Sequence, residues 1–270
     1  MTLNFTKMNG AGNDFVMLDN RHLGLLLARE QIARLCDRHR GIGADGLLCV
    51  EPAEGQGDFK MRYYNADGGE AEMCGNGARC FGRFVNRLHH DELSFVQFET
   101  LAGLISAEFE GEQVRINMSA PHGLKLAQTL TVAGKELTVH SVNTGVPHAV
   151  VLVDDLESVP VREWGAGLRY HEAFAPKGTN ANFVQVIGLD RIAIRTYERG
   201  VEDETLACGT GMVACALIHH ELTGVPSPVE VTVRGGDTLR VGFEETTPHE
   251  YSGVTLLGPA DFVFQGTVEI

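Results

Sequence analysis

Apolar residues in this chain mostly alternate with polar ones. Phe59, Met61 and Tyr63 do so, as do Ile192 and Ile194 and then Val229, Val231 and Val233. A two-residue period is the mark of a half-buried strand. Residues 3–18 read as strand, turn and strand, with the turn at Asn9-Gly-Ala-Gly-Asn-Asp14. Further strands are predicted at Leu47–Val50, Phe95–Glu99, Gly103–Phe109, Val114–Met118, Leu130–Val132, Glu136–His140, the apolar run before Asp154, Val184–Ile187, Leu239–Phe243, Tyr251–Leu257 and Phe262–Phe264. Helical spacing is confined to a few places. Ile32, Leu35, Cys36 and His39 mark one helix; residues 160–171 mark another, interrupted by glycines. Two longer helices follow Cys74 (Cys80, Phe81, Phe84, Val85, Leu88) and Cys208 (Met212, Cys215, Ile218), the second ending near Thr223-Gly224. Many short strands with one long helix per half predict an α+β fold of two curled sheets.

The halves carry the same signature. Tyr64–Arg83 holds a polar turn, Cys74-Gly-Asn-Gly and the start of a helix; Tyr197–Cys215 repeats this with Cys208-Gly-Thr-Gly. The cysteines are 134 residues apart, and each follows a Glu by four residues, Glu70 and Glu204. An Arg lies upstream in each copy, Arg62 at twelve residues and Arg195 at thirteen. A chain of 270 residues accommodates two domains of this spacing. Ala120-Pro-His-Gly123 is the candidate crossover, and no low-complexity linker separates the halves.

Composition narrows the function classes. The net charge is −14 and the basic residues form no stripe, which argues against nucleic acid as a partner. The longest apolar run, Met212 to Ile218, is seven residues; a membrane-spanning helix needs about 20. Six cysteines are too sparse for a disulfide scaffold and form no Cys-x-x-Cys pair, which argues against a structural zinc site. The first residues lack the apolar core of a signal peptide. The expected compartment is therefore the reducing cytoplasm, with thiols unoxidised.

A cysteine at a helix start meets first-turn N–H groups and the positive end of the helix dipole. Both favour the thiolate, and such thiols reach pKa values of roughly 3.5–7.5. The glycines beside each cysteine let backbone amides approach an anion. Each knot thus offers a proton-transfer group next to a carboxylate cradle. If the two face one ligand, a thiolate on one side removes a proton and a thiol on the other returns one, inverting a carbon centre. Other readings explain less. Both cysteines as buried hydrophobes, or one as a nucleophile with a histidine base, leave the duplication idle. Neither knot ends in Gly-Lys-Ser/Thr, as a phosphate loop does. The five lysines all lie outside the knots, so no pyridoxal cofactor is expected. A non-catalytic module that holds an anion in paired amide cradles is the alternative from another class. Cys80 and Cys215, on the helices beyond, read as core.

Gly12-Asn-Asp-Phe15, Arg40-Gly-Ile-Gly-Ala-Asp45, Asn65-Ala-Asp-Gly68, Cys74-Gly-Asn-Gly-Ala-Arg79, Pro147-His148, Tyr197-Glu-Arg-Gly200 and Ala207-Cys-Gly-Thr-Gly211 run the length of the chain. Together they resemble the diaminopimelate epimerases, cofactor-independent amino-acid epimerases. The resemblance implies two pseudo-symmetric domains, each a curled, mostly antiparallel, barrel-like sheet around a central helix, with the active site between them. Residues 1–119 would form the first domain, with 259–270 returning to it, and 120–258 the second. It implies Cys74 and Cys208 as the acid–base pair, with Cys208 the base and Cys74 the proton donor in the LL to meso direction. It implies substrate binding by Asn13, Asn65, Gly75, Asn76, Asn180, Glu198, Arg199, Gly209 and Thr210, with His148 and Glu198 tuning the thiols. No cofactor, a homodimer, and a place in lysine and peptidoglycan precursor synthesis complete the implication. Arginine suits a carboxylate through its planar fork, and asparagine suits a zwitterion because it donates and accepts. Two positions depart from the pattern: Gly46 stands where some members have glutamine, and Val146 where many have asparagine. A related racemase of histidine or proline is the alternative substrate reading.

Overall fold

Alternating residues become strands, and the strands pair in the same order twice. The computed structural model describes residues 1–270 and divides into two units, Met1–Ile116 with Gly258–Ile270, and Asn117–Leu257. The first unit contains β1 (Thr2–Gly10), β2 (Asn13–Asp19), α1 (Arg29–Cys36), β3 (Gly46–Pro52), β4 (Phe59–Asn65), β5 (Glu70–Ala71), α2 (Gly75–Leu88), β6 (Phe95–Thr100), β7 (Gly103–Glu110) and β8 (Gln113–Asn117). The second contains β9 (His122–Val132), β10 (Lys135–Asn143), β11 (Pro147–Leu152), α3 (Val161–Arg169), β12 (Asn180–Val186), β13 (Arg191–Glu198), β14 (Asp203–Thr205), α4 (Gly209–Thr223), β15 (Val229–Thr232), β16 (Thr238–Thr247) and β17 (Glu250–Pro259). The last strand, β18 (Asp261–Glu269), returns to the first unit and lies antiparallel to β1.

The first unit's ladder runs β18, β1, β2, β3, β4, β6, β7, β8. The second runs β9, β10, β11, β12, β13, β15, β16, β17. Place by place the senses agree. β2–β3 and β11–β12 are parallel, as are β4–β6 and β13–β15, and the remaining pairs are antiparallel. Parallel neighbours need a crossover. In each unit the first crossover holds a short helix (α1 or α3) and the second the long one (α2 or α4). The long helix touches strands far apart in the ladder: β1, β2, β3 and β7 for α2, and β10 through β13, β15 and β16 for α4. One helix can meet all of these only if the sheet curls around it.

The central position explains the helix sequences. From Gly211 to His219 every residue of α4 is buried, so its apolar run has no polar face to show. Gly224 closes the helix in the left-handed region at φ 71°, the conformation glycine supplies at a helix end. The short helices cover the sheet elsewhere: Ile32, Leu35 and Cys36 of α1 join Val16, Leu18 and Leu47 in one core cluster, and Val161 and Leu168 of α3 join Val151, Phe183 and Tyr197 in another. No helix is long and apolar enough to cross a membrane.

Several strands run beyond expectation, among them β12, which begins at Asn180 rather than Val184, and β16, which continues to Thr247. β9 begins at His122 rather than near Leu130, because Leu124, Leu126 and Leu130 alternate through a stretch whose Pro121 and Gly123 read as turn signals. β18 extends to Glu269 and leaves Val263 and Phe264 exposed, with Phe264 edge-on to Phe5.

Candidate active site

Each cysteine is the residue before its long helix. Cys74 (φ −136°, ψ 123°) caps α2 and Cys208 (φ −133°, ψ 108°) caps α4, both in extended conformation. The first helical bonds run from Ala78 N to Cys74 O at 2.7 Å and from Met212 N to Cys208 O at 2.9 Å. A helix leaves its first-turn amides without carbonyl partners of its own. No capping side chain takes them up here. Gly75–Asn76 and Gly209–Thr210 therefore present N–H groups beside sulfur in both units. Ahead of each knot a short hairpin, β4–β5 or β13–β14, is clamped by an ion pair. Arg195 grips Glu204 through two bonds of 2.6 and 2.7 Å, while Arg62 lies 3.8 Å from Glu70 and 3.1 Å from Glu51. The upstream Arg and Glu of the repeat hold the turn that delivers the cysteine.

In the first unit Asn13, at the start of β2, accepts from Asn76 Nδ2 at 2.7 Å and donates to Asp45 at 3.0 Å. Asn76 is fixed from below by Arg79, whose Nη2 donates to its Oδ1 at 2.8 Å. Asn65 sits exposed at the end of β4, opposite Gly46 in register. Gly46 is there for lack of space: a Cβ would lie 2.7 Å from both the Tyr63 ring and the Tyr64 carbonyl. Behind Asn13, Asp14 binds Lys7 at 2.8 Å and Arg38 at 2.7 and 2.8 Å. Burial pushes the Asp14 carboxyl up, but Arg38 and Lys7 outweigh it and hold it at about 2. Because the folded value lies below the unfolded one, this contribution is complete above about pH 4 and is lost as pH falls toward 2. Asp14→Asn is expected to cost about 1–2 kcal/mol at pH 7, allowing for screening at the exposed Arg38. Urea unfolding at pH 7 and pH 2.5 checks this. A variant as stable as the wild type at pH 7 contradicts it.

In the second unit His148, on β11, is buried and lies 2.9 Å from Thr210 Oγ1. That hydroxyl is 3.6 Å from Cys208 Sγ, and Thr144 Oγ1 donates to the Thr210 carbonyl at 2.8 Å. Burial first, and the charge of Arg199 second, push His148 down to about 3, so the ring is neutral at any working pH. Asn180 opens β12; its side chain donates to Pro147 O at 3.1 Å and accepts from Arg199 N at 2.8 Å, tying two expected ligand residues together. Burial raises the Glu198 carboxyl above its usual range. Cys208 is 7% exposed and Cys74 half-buried. The other four cysteines are buried, and burial pushes Cys36 up to about 11, Cys49 and Cys80 up to about 12 and Cys215 higher still, so these thiols stay protonated. No group of three or more His, Cys, Asp or Glu is arranged to hold a metal ion.

A family model described as diaminopimelate epimerase matches residues 5–123 and 140–263. The chain belongs to the diaminopimelate epimerase family. It is accordingly an isomerase. The diaminopimelate epimerase of Aquifex aeolicus is 43% identical over 277 residues, covering 98% of this chain and 97% of that one. That of Chlorobaculum tepidum is 42% identical over 266 residues, covering 97% and 100%. Solved structures extend the fold further. A Bacillus anthracis phenazine biosynthesis protein of the PhzF family matches with a TM-score of 0.74 at 16% identity, covering all of both chains. A hydroxyproline epimerase from Agrobacterium vitis matches at 0.72 and 16%, covering 99% of this chain and 91% of that one. At such identities the likeness is one of fold alone.

Three residues in this epimerase-family chain were not singled out from sequence. Arg79 enters the sequence reading only within the Cys74–Arg79 motif, and Thr144 and Asn182 do not enter it. Asn182 has a strand signal: it is two residues beyond Asn180, hence on the same face of β12.

Proposed function

We propose that this protein interconverts LL- and meso-diaminopimelate without a cofactor, with Cys74 and Cys208 acting on opposite faces of one α-carbon. The observation that carries this reading is the matched placement of the two cysteines as helix N-caps in two units of identical strand order. In the LL to meso direction Cys208 thiolate removes the α-proton and becomes a thiol. The electron pair of the broken C–H bond delocalises into the α-carboxylate, whose developing charge the first-turn amides of α2 and α4 stabilise. Cys74 thiol delivers its proton to the other face and is left a thiolate. Solvent exchange restores the starting protonation.

Asn13, Asn65 and Asn76 bind substrate beside Cys74, and Asn180, Glu198, Arg199 and the Gly209–Thr210 amides bind it beside Cys208. His148 and Glu198 tune the thiols. Val146 brings no hydrogen-bonding side chain where many members of the family have asparagine, which leaves backbone or water to substitute. The protein works as a cytoplasmic homodimer in lysine and peptidoglycan precursor synthesis, as the resemblance implies, with no nucleic acid and no membrane as partner. Sedimentation at micromolar concentration distinguishes dimer from monomer, and a monomer that turns over fully removes the dimer from this reading.

Incubation of reduced protein with LL-diaminopimelate in heavy water tests the reaction. The expected result is one α-deuterium in the meso product formed early, and at later times a meso fraction approaching equilibrium as label enters both α positions. Reduced, folded protein that yields neither, but inverts histidine or proline, moves the assignment to those amino acids. Binding without exchange moves it to an anion-holding module.

A further inference from the structure

The direction of every hydrogen bond behind Cys208 follows from one backbone carbonyl. Ala149 O can only accept, so the Asn182 atom 2.9 Å from it is the amide nitrogen. The amide oxygen is then the atom that takes the Thr196 hydroxyl proton at 2.9 Å. The same nitrogen lies 3.1 Å from His148 Nδ1. An amide NH2 only donates, so Nδ1 is the accepting nitrogen. His148 is neutral, and its one ring proton therefore sits on Nε2, which faces Thr210 Oγ1 at 2.9 Å. Thr210 accepts from the ring and keeps its own hydroxyl proton to give. Cys208 Sγ lies 3.6 Å from that oxygen.

We propose that Asn182 is a positioning residue that sets this chain in one direction, so that Thr210 donates to Cys208 and favours its thiolate in the resting protein. The inference rests on the two-thiol reading above and says which thiol waits as the base. It also gives the last glycine of the second knot a task. A Cβ at Gly211 would stand 2.5 Å from Asn182 Oδ1 and 3.4 Å from Cys208 Sγ, so glycine is what lets Asn182 reach under the helix.

The first unit does not repeat the arrangement. Register pairs His148 with Asn180 and Val150 with Asn182; the corresponding pairs on β2 and β3 are Phe15 with Gly46 and Met17 with Leu48. Phe15 and Leu48 thus stand in the places of His148 and Asn182, and a Cβ at Gly77 would meet these two side chains at an ordinary 3.5 and 3.4 Å, with no polar atom between. Neither side chain has a hydrogen to donate. Among charged and titratable groups, Arg199 adds to the burial that keeps the His148 ring from charging, Glu198 lies on β13 with its carboxyl raised by burial, and Cys215 on α4 senses Cys208.

The test reads protonation rather than turnover. Full-length reduced protein is alkylated with iodoacetamide across pH 5–10, and the Cys74 and Cys208 peptides are quantified by mass spectrometry. Asn182→Leu and Thr210→Val are expected to raise the Cys208 midpoint by about one pH unit, the size of one lost bond to a charged acceptor, and to leave the Cys74 midpoint in place. Thr210→Ser is expected to restore it. Unmoved Cys208 midpoints, or equal shifts at both cysteines, overturn the proposal. A measurement on the unaltered chain guards against misfolded variants: the side-chain ¹⁵N spectrum, with the His148 signal assigned by its loss in His148→Gln. A neutral ring protonated at Nε2 from pH 8 down to pH 5 supports the chain; a proton on Nδ1, or a charged ring, refutes it. Neither readout needs substrate. If both hold while diaminopimelate is not turned over, only the functional reading fails; if turnover is normal and both fail, only this inference does.

Discussion

Alanine at either Cys74 or Cys208 is expected to lower epimerisation of LL-diaminopimelate on the order of 10⁴-fold or more, because each removes a proton carrier that water replaces poorly. The variants are not expected to be equivalent in exchange. Cys74→Ala keeps the base for the LL substrate, so deuterium from heavy water is expected to enter LL-diaminopimelate with its configuration retained. Cys208→Ala keeps the thiol on the other face, so exchange is expected at the D-configured centre of the meso isomer and not in LL. Nuclear magnetic resonance of the recovered amino acids, with melting curves to confirm folding, checks both. Either variant epimerising at the wild-type rate sinks the two-thiol mechanism; exchange of both isomers by both variants removes the facial assignment.

The second large effect is expected at Arg79, a fully buried side chain that donates to Asn76 Oδ1 at 2.8 Å, Pro259 O at 3.2 Å and Gly10 O at 3.3 Å. It ties the first turn of α2 to the end of β1 and to the segment entering β18. Arg79→Met fills the space but leaves these acceptors without their donor. The expected cost is about 3–5 kcal/mol, a drop in melting temperature of roughly 10 °C. Release of Asn76 from below should also raise KM for the amino acid. Arg79→Lys, which keeps the charge and loses the planar fork, is expected to fall in between. A methionine variant melting within about 2 °C of the wild type contradicts the role.

How much of this was legible in sequence depended on how local the signal was. Strands with clean alternation, such as Phe59–Tyr63 and Val229–Val233, are visible because one face is buried and the other is not. The apolar run after Cys208 reveals a central helix because nothing on it is polar. The cysteine knots were legible because a helix start, a glycine pair and a thiol are neighbours in sequence. β9 was half hidden, since Pro121 and Gly123 carry turn signals into a region that pairs with β10 regardless. Arg79, Thr144 and Asn182 were missed for a different reason. Their work lies in contacts to Pro259, Thr210 and His148, residues 34 to 180 positions away, and no periodicity encodes such partners. His148 was found only through family likeness, because a lone histidine after a proline has no pattern of its own.

The pairing of β1 with β18 has a consequence for biogenesis. The second unit is one continuous span, and its outermost ladder strand, β9, emerges just before the β10 it pairs with. The matching place in the first unit is filled by residues 261–269, so β1 waits for its neighbour while the whole second unit is translated. At about 5–20 residues per second that interval is of the order of ten seconds to a minute. During it β1 shows the ribosome and its chaperones an unpaired edge with Leu3 and Phe5 beside it, the kind of template on which other chains add. The unit whose residues are made first is thus the one completed last, and nascent chains stalled short of residue 261 should be the aggregating species in a cell-free translation.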